Sequence, residues 1–344
     1  MKVLITGGCG FIGSNFINKI ARDSKYDILN IDSLTYASSP DNINQVDNYH
    51  FIHGSITNAD LIAKTLDSFQ PNYIINFAAE SHVDRSIDDA DSFINTNVIG
   101  TYVLLNQSLR YFKKIKPALF KFIHISTDEV FGDLSIDDDS FNEESNYCPN
   151  SPYSASKASS DHFVRAWNKT YDFPSIILNS SNNYGPFQFP EKLIPLMIIK
   201  ALSGEKLPLY GDGKQIRDWI HVDDHCDAIV RVMQDGQVGD RYNIGGQSEF
   251  MNIDLVTIIC DCLDDILPSD QPYSSLIEFV KDRPGHDIRY AVDINKIKNK
   301  LGWEPKISFS NGIVDTIHWY IDNRDWWEGI INNQYNLKRL GSND

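Results

Sequence analysis

The sequence predicts an α/β protein built on a doubly wound parallel sheet, with a smaller C-terminal lobe. Three observations carry that expectation. Apolar runs at 3–6, 27–31, 49–53, 73–77, 121–125 and 175–179 are continuous rather than alternating, as in strands covered on both faces. Helical patterns over 11–22, 58–68, 94–113 and 152–170 fall between them, giving the βαβα order of a wound sheet. The first run also leads straight into a glycine-rich turn that opens the first helix.

That turn reads Gly7-Gly8-Cys9-Gly10-Phe11-Ile12-Gly13. At a strand-to-helix junction its glycines permit the bend, close approach to a pyrophosphate, and tight helix packing, while the helix N-terminus attracts the phosphates. This is the dinucleotide-binding turn of a Rossmann sheet. The second strand ends at Asp32, about 20 residues on, where an acidic side chain grips the adenosine ribose. A carboxylate there repels a 2′-phosphate, and Ser33 follows rather than Arg, so NAD is expected over NADP.

The helix over 152–170 opens with Tyr153-Ser154-Ala155-Ser156-Lys157, which puts Tyr153 and Lys157 on one face. A lysine ammonium beside a phenol should favour the phenolate and make Tyr153 a base for a sugar hydroxyl. After the fifth strand comes Thr127-Asp128-Glu129. Neighbouring carboxyls in unlike environments can divide acid and base roles. Successive residues of a straight strand point to opposite faces, so this segment must leave strand geometry for both to reach one substrate.

After about residue 180 the alternation stops, and Pro and Gly cluster at Gly185-Pro186, Pro190, Pro195, Pro208 and Gly211 to Gly213. Residues 1–180 are read as the dinucleotide-binding domain, with 215–250 returning to it, and 181–344 as mainly the substrate lobe. Asp223 or Asp224 should cap a helix running to about Met233. His221 and His225 have metal-helix spacing but lack the Glu of a zinc peptidase, so no metal is expected. Cys260 and Cys262, at i, i+2, are read as packing residues.

The 344 residues are 42% hydrophobic, enough for a substantial core, and the net charge of −16 argues against nucleic acid as a partner. The 5 cysteines form no CxxC pair, glycines interrupt the apolar N-terminus, and no stretch is suited to span a bilayer. A cytoplasmic protein is expected, with no membrane partner. The helices at 94–113 and 152–170 carry apolar residues beyond one stripe, among them Tyr102, Leu105, Phe163 and Trp167. That excess predicts a homodimer through a helix bundle.

The glycine turn, Asp32 and Tyr153-x-x-x-Lys157 together resemble the extended short-chain dehydrogenases/reductases that modify nucleotide sugars. Four segments narrow the resemblance to the 4,6-dehydratases among them: Ala78-Ala79-Glu80-Ser81-His82-Val83-Asp84-Arg85-Ser86, Ser126-Thr127-Asp128-Glu129-Val130-Phe131-Gly132, the run from Asn182-Asn183-Tyr184-Gly185-Pro186 to Glu191-Lys192-Leu193, and Asp282-Arg283-Pro284-Gly285-His286-Asp287. The resemblance implies oxidation at C4 of glucose, loss of water across C5 and C6, and return of hydrogen to C6. It implies dTDP-glucose as substrate, with UDP-glucose as the alternative, since one methyl separates them. An epimerase or decarboxylase would share the tyrosine and lysine without needing the acidic pair. A non-catalytic NAD-binding regulator would need none of the five residues Thr127, Asp128, Glu129, Tyr153 and Lys157.

Residue by residue, the resemblance assigns NAD to Gly7, Gly10, Phe11, Ile12, Gly13, Asp32, Ser33, Leu34, Thr35, Ser55, Ile56, Phe77, Ala78, Ala79, Ser81, Thr96, Tyr153, Lys157 and Asn183. It assigns the nucleotide sugar to Ser81, Thr127, Asp128, Glu129, Asn182, Glu191, Lys192, Leu193, Pro208, Tyr210, Arg217, Asn252, Arg283 and His286. Asp128 becomes the acid, Glu129 the base, and Thr127 the hydrogen-bond partner of the C4 oxygen. Guanidinium forks suit Arg217 and Arg283 to phosphates. Two positions depart from the family pattern: Ser55, where Asp is usual, and Asn179, where Arg is common.

Overall fold

A computed structural model describes residues 1–333 together with Tyr335 and Leu337. Strand and helix alternate from the start: β1 (Lys2–Thr6), α1 (Phe11–Ile20), β2 (Asp27–Asp32), β3 (Tyr49–His53), α2 (Ala59–Phe69), β4 (Tyr73–Asn76), the short α3 (Val83–Asp88) and α4 (Ala90–Phe93), α5 (Thr101–Ile115), β5 (Lys121–Thr127), α6 (Pro152–Tyr171) and β6 (Ser175–Ser180). The remainder runs β7 (Asn182–Tyr184), α7 (Leu193–Leu202), β8 (Leu207–Tyr210), β9 (Ile216–His221), α8 (Val222–Asp235), β10 (Arg241–Ile244), β11 (Glu249–Met251), α9 (Asn252–Ile266), β12 (Ile277–Val280), β13 (Arg289–Tyr290), α10 (Asn295–Leu301), α11 (Phe309–Asp322) and α12 (Arg324–Asn333).

The main sheet has the order β10-β6-β5-β4-β1-β2-β3 and is parallel throughout. Strand succession reverses between β1 and β4, and a crevice opens there at the carboxyl ends of the strands. Val3 and Ile5 pack with Phe16, Ile17 and Ile229 on one face, while Leu4 packs with Leu104, Leu105 and Phe122 on the other. Both faces are covered, which is why the strand sequences read as continuous apolar runs. β10 joins the far edge, with Arg241 to Ile244 opposite Ile177 to Ser180. A separate core, including Ile198, Leu207, Trp219, Leu255, Ile259 and Ile313, lies beneath a smaller sheet of β7, β9, β11 and β13.

Two local expectations need correction. The helix expected over 94–113 is π-helical through Ile94–Gly100 before becoming α-helical. The wider turn carries Asn97, whose amide clamps the backbone N–H and C=O of Glu80 (both 2.9 Å) and donates to Ser156 Oγ (2.8 Å). The helix expected to be capped by Asp223 or Asp224 begins one residue earlier. His221 Nδ1 accepts the Asp223 N–H at 3.2 Å, and both aspartates fall in the first turn. Asp224 instead accepts the N–H groups of Lys306 and Ile307.

α6 owes its fixed start to Pro152 and to a reciprocal cap between Ser151 and Ser154. At the other end of the chain, Trp326 Nε1 donates to Asn42 Oδ1 (2.9 Å), while Asn42 Nδ2 holds the carbonyl of Cys9 in the glycine turn (3.0 Å).

Candidate active site

The crevice is one continuous cleft. Its floor at one end is the glycine turn. Gly7 has φ +73°, and a Cβ there would lie 2.5 Å from the backbone nitrogen of Ala78, so only glycine fits. α1 starts at Gly10 with no side-chain cap, and Ser14 is the residue whose N–H reaches the Gly10 carbonyl (2.9 Å). The preceding N–H groups have no helical acceptor and are free to meet an anion. Asp32 sits beside them, its carboxylate accepting the N–H groups of Cys9 and Leu34 at 2.8 Å each. Burial pushes its pKa up, and those two hydrogen bonds oppose the shift. This donor set fits a dinucleotide pyrophosphate and ribose.

The expected cofactor residues line this end, from Gly7 and Asp32 through Ser55, Phe77, Ala79 and Thr96 to Asn183. Leu34 is the exception. It adopts a left-handed turn (φ 51°), gives its N–H to Asp32, and is not on the cleft wall. Ser55 lines the wall and pairs its hydroxyl with Thr57 Oγ1 (2.9 Å).

At the other end β5 stops at Thr127, and Asp128–Phe131 forms a 3₁₀ turn whose first free N–H, from Glu129, bonds to Thr127 Oγ1. This break from strand geometry brings Thr127, Asp128 and Glu129 onto one wall with Tyr153 and Lys157. Asp128 is 1% exposed; burial, then the charge of Glu129, drive its pKa well above the carboxylate range. Burial raises Glu129 too, but Arg283, Arg217 and Lys192 pull it back. The two carboxyls are therefore unlike, with Asp128 the one pushed further toward its protonated form.

Tyr153 corrects an expectation. Burial, then the charge of Glu129, raise its pKa, and a hydrogen bond with Thr127 opposes them. Lys157 does not turn it into a phenolate here, because its ammonium donates to the Ile125 carbonyl at 2.7 Å. Burial lowers Lys157 to about 8.

Of the residues expected to hold substrate, Ser81, Asn182, Glu191, Lys192 and Leu193 line the cleft with the catalytic wall. Pro208, Tyr210, Arg217, Asn252, Arg283 and His286 do not line it. Several of these are engaged with one another and with neighbours. Arg283 Nη1 donates to Asp84 Oδ1 (2.5 Å), whose other oxygen accepts Tyr210 (3.0 Å). Arg217 donates to the Ile216 and Asp287 carbonyls and lies 4.3 Å from the Tyr290 ring centre. His286 pairs with Asp282 at 2.7 Å.

The sequence reading missed one bridge between the two ends. Glu191 accepts Tyr36 (2.8 Å) and Arg85 Nε (2.7 Å), and the Arg85 guanidinium stacks 3.7 Å from the Tyr36 ring centre. Arg85 lies within a quoted motif, but nothing local marks Tyr36, which is 155 residues from Glu191.

A family model described as GDP-mannose 4,6 dehydratase matches residues 4–316. The dTDP-glucose 4,6-dehydratase of Escherichia coli is 48% identical, with 99% of each chain covered. The chain belongs to the 4,6-dehydratase family. Another family member, the dTDP-glucose 4,6-dehydratase of Neisseria meningitidis serogroup B, is 49% identical over 99% of each chain. Among solved structures, the Bacillus anthracis dTDP-glucose 4,6-dehydratase in complex with NAD has a TM-score of 0.85 at 45% identity, covering 96% of this chain and 99% of that one. UDP-glucose 4-epimerase from Thermotoga maritima shares the architecture (TM-score 0.84) at only 28% identity, covering 94% of this chain and 100% of that one.

Proposed function

We propose that the protein converts dTDP-glucose to its 4-keto-6-deoxy product, with NAD bound across the glycine turn. The observation that carries this reading is the wall on which Asp128, Glu129 beside its three cations, Thr127 and Tyr153 meet. NAD held there by Gly7, the open end of α1 and Asp32 would supply the hydride acceptor for C4 and the hydride donor for C6. Tyr153 takes the proton of the C4 hydroxyl as a phenolate, a form that requires the Lys157 ammonium to turn toward it from the Ile125 carbonyl, and Thr127 hydrogen-bonds the C4 oxygen. The C4 ketone makes the C5 proton acidic, so Glu129 can remove it while Asp128 protonates the departing C6 hydroxyl. Arg217, Arg283, Tyr210, Asn252, Pro208 and His286, with Asn182, Glu191, Lys192 and Leu193, hold the nucleotide. Of these, Arg217, Arg283, Tyr210 and His286 exchange their present internal partners for the substrate.

The deciding experiment follows deuterium from C4 of labelled dTDP-glucose by NMR. Its appearance at C6 is the expected result. Deuterium retained at C4 or lost to solvent would exclude the reaction.

The same reading divides labour between a dinucleotide-binding domain (1–180, joined by β10) and a nucleotide-sugar lobe. It also includes a homodimer. Ile94, Ile99 and Tyr102 on the π-helical segment and α5 are 51%, 46% and 40% exposed, beside a Tyr102–Phe163–Trp167 ring cluster. A second copy covering this face is the simplest cover. Sedimentation at micromolar concentration should give twice the chain mass. Among the described residues no helix is long and apolar enough to cross a membrane. The cysteines are free, which supports a cytoplasmic site of action.

A further inference from the structure

Beneath the catalytic wall lies a sealed polar cluster for which the proposed reaction has no direct use. Asp161 is 0% exposed and stands one helical turn beyond Lys157 on α6. Three donors converge on its Oδ2: Tyr147 Oη (2.6 Å), Ser126 Oγ (2.8 Å) and Asn179 Nδ2 (3.2 Å). Burial raises the Asp161 carboxyl, while Lys157, the Tyr147 and Ser126 hydrogen bonds and Arg241 oppose that rise, and three donors on one oxygen favour the carboxylate form.

Asn76, His124 and Ser160 beside it are neutral and directional. Asn76 Oδ1 accepts the Thr6 hydroxyl (2.7 Å), so its amide nitrogen faces His124 Nδ1 (3.0 Å). His124 must then carry its proton on Nε2, which meets Ser160 Oγ (3.1 Å) and lies 3.5 Å from Asp161 Oδ1. Burial, and after it the charge of Lys157, keep that imidazole neutral. Arg241, from β10, reaches the cluster from the far side over the Tyr147 ring (4.5 Å).

Lys157, 3% exposed, is an ammonium in the same interior, and it donates a hydrogen bond to the neutral carbonyl of Ile125. A buried cation without a counter-charge is costly and tends to lose its proton. We propose that Asp161, anchored by Ser126, Tyr147 and Asn179, is a positioning residue that acts as the internal counter-charge to the Lys157 ammonium. The two are not in contact as a salt bridge. Each is held by its own hydrogen bonds, and the attraction acts through the dry space between them. Of the charged groups around Lys157, Asp161 is the one that favours its protonated form. The cluster thereby keeps the cation of the Tyr153–Lys157 pair in place near neutral pH, and this inference rests on the catalytic assignment of that pair.

The test combines a pH profile with a melting cycle on the holoenzyme. In Asp161→Asn the alkaline limb of turnover should move to lower pH by about 1–3 units, because removing the carboxylate lets Lys157 deprotonate sooner. Tyr147→Phe, a gentler change, should move it the same way by less. Asp161→Asn and Lys157→Met should each lower the melting temperature, and the double variant should melt above either single one, since each single leaves one buried charge alone. The melting cycle does not depend on which reaction the site performs, so it can fail while the deuterium test succeeds, and the reverse. An unmoved alkaline limb in both Asp161→Asn and Tyr147→Phe, or additive melting losses, would overturn the proposal.

Discussion

The two ends of the cleft are made of different material. The cofactor end is backbone and small side chains: Gly7 against Ala78, the open start of α1, and Asp32 held by two N–H groups. Those parts all fall between residues 7 and 78. The substrate end is assembled from charged side chains far apart in sequence, such as Asp84 with Arg283 across 199 residues and Glu191 with Arg85 across 106. A site of backbone is rigid and specified locally; a site of paired charges can exchange partners when an anion arrives. The comparison predicts that damage at the first end removes the cofactor, whereas damage at the second weakens or halts the reaction with the cofactor still bound.

The largest expected effect lies at the junction of the two ends. Asp128→Asn and Glu129→Gln should lower turnover by ~10²–10⁴-fold, the usual range for lost acid–base help. Both should still form 4-keto-glucose, detected by NMR after quenching. Tyr153→Phe should form none. If all three variants behaved alike, the division between oxidation and elimination would fall.

Gly7→Ala tests the rigid end. The left-handed backbone and the clash with Ala78 together cost about 3 kcal/mol, so NAD affinity should drop about a hundredfold and the purified protein should carry little nucleotide. Normal nucleotide content would break the contrast. At the exchangeable end, Arg283→Ala removes a charged hydrogen-bond donor. KM for dTDP-glucose should rise about tenfold with NAD content unchanged.

The smallest effect concerns stability. Burial and the charge of Glu129 raise the folded-state pKa of Asp128, so above the ordinary carboxylate range the folded chain binds more proton there than the unfolded chain does. That linkage costs stability increasingly as pH rises above the ordinary carboxylate range and vanishes below it. Asp128→Asn should therefore raise the melting temperature by a few degrees at pH 7, about 2–4 °C for each kcal/mol relieved, and by less at pH 4. An equal gain at both pH values would point to a cause other than the proton.

Much of the first end was legible because its signals are local. Continuous apolar runs marked β1 to β6, and the glycine turn and Asp32 needed only their spacing. Thr127-Asp128-Glu129 was legible as chemistry, and the demand that it leave strand geometry is met by the 3₁₀ turn at Asp128–Phe131. Other features resisted for physical reasons. The π-helical stretch has ordinary helical composition, and its shape follows from Asn97 gripping Glu80 and Ser156 in space. The cap of α8 went to His221 rather than an aspartate because Asp224 is committed to the backbone before α11. The phenolate expected at Tyr153 came from counting residues along a helix. Spacing alone does not reveal that the Lys157 nitrogen reaches the Ile125 carbonyl. Tyr36 and Asp161 carried no motif at all, although Asp161 repeats the i, i+4 spacing that flagged Lys157.

Asn42 joins the carbonyl of Cys9 to the indole of Trp326. The indole stands 284 residues after Asn42 in the sequence. A nascent chain can lay down β1, β2 and their turn early, yet the clasp that fastens them stays open until α12 has emerged. The birth order of the polypeptide thus leaves this part of the cleft unfastened well after its strands have been made.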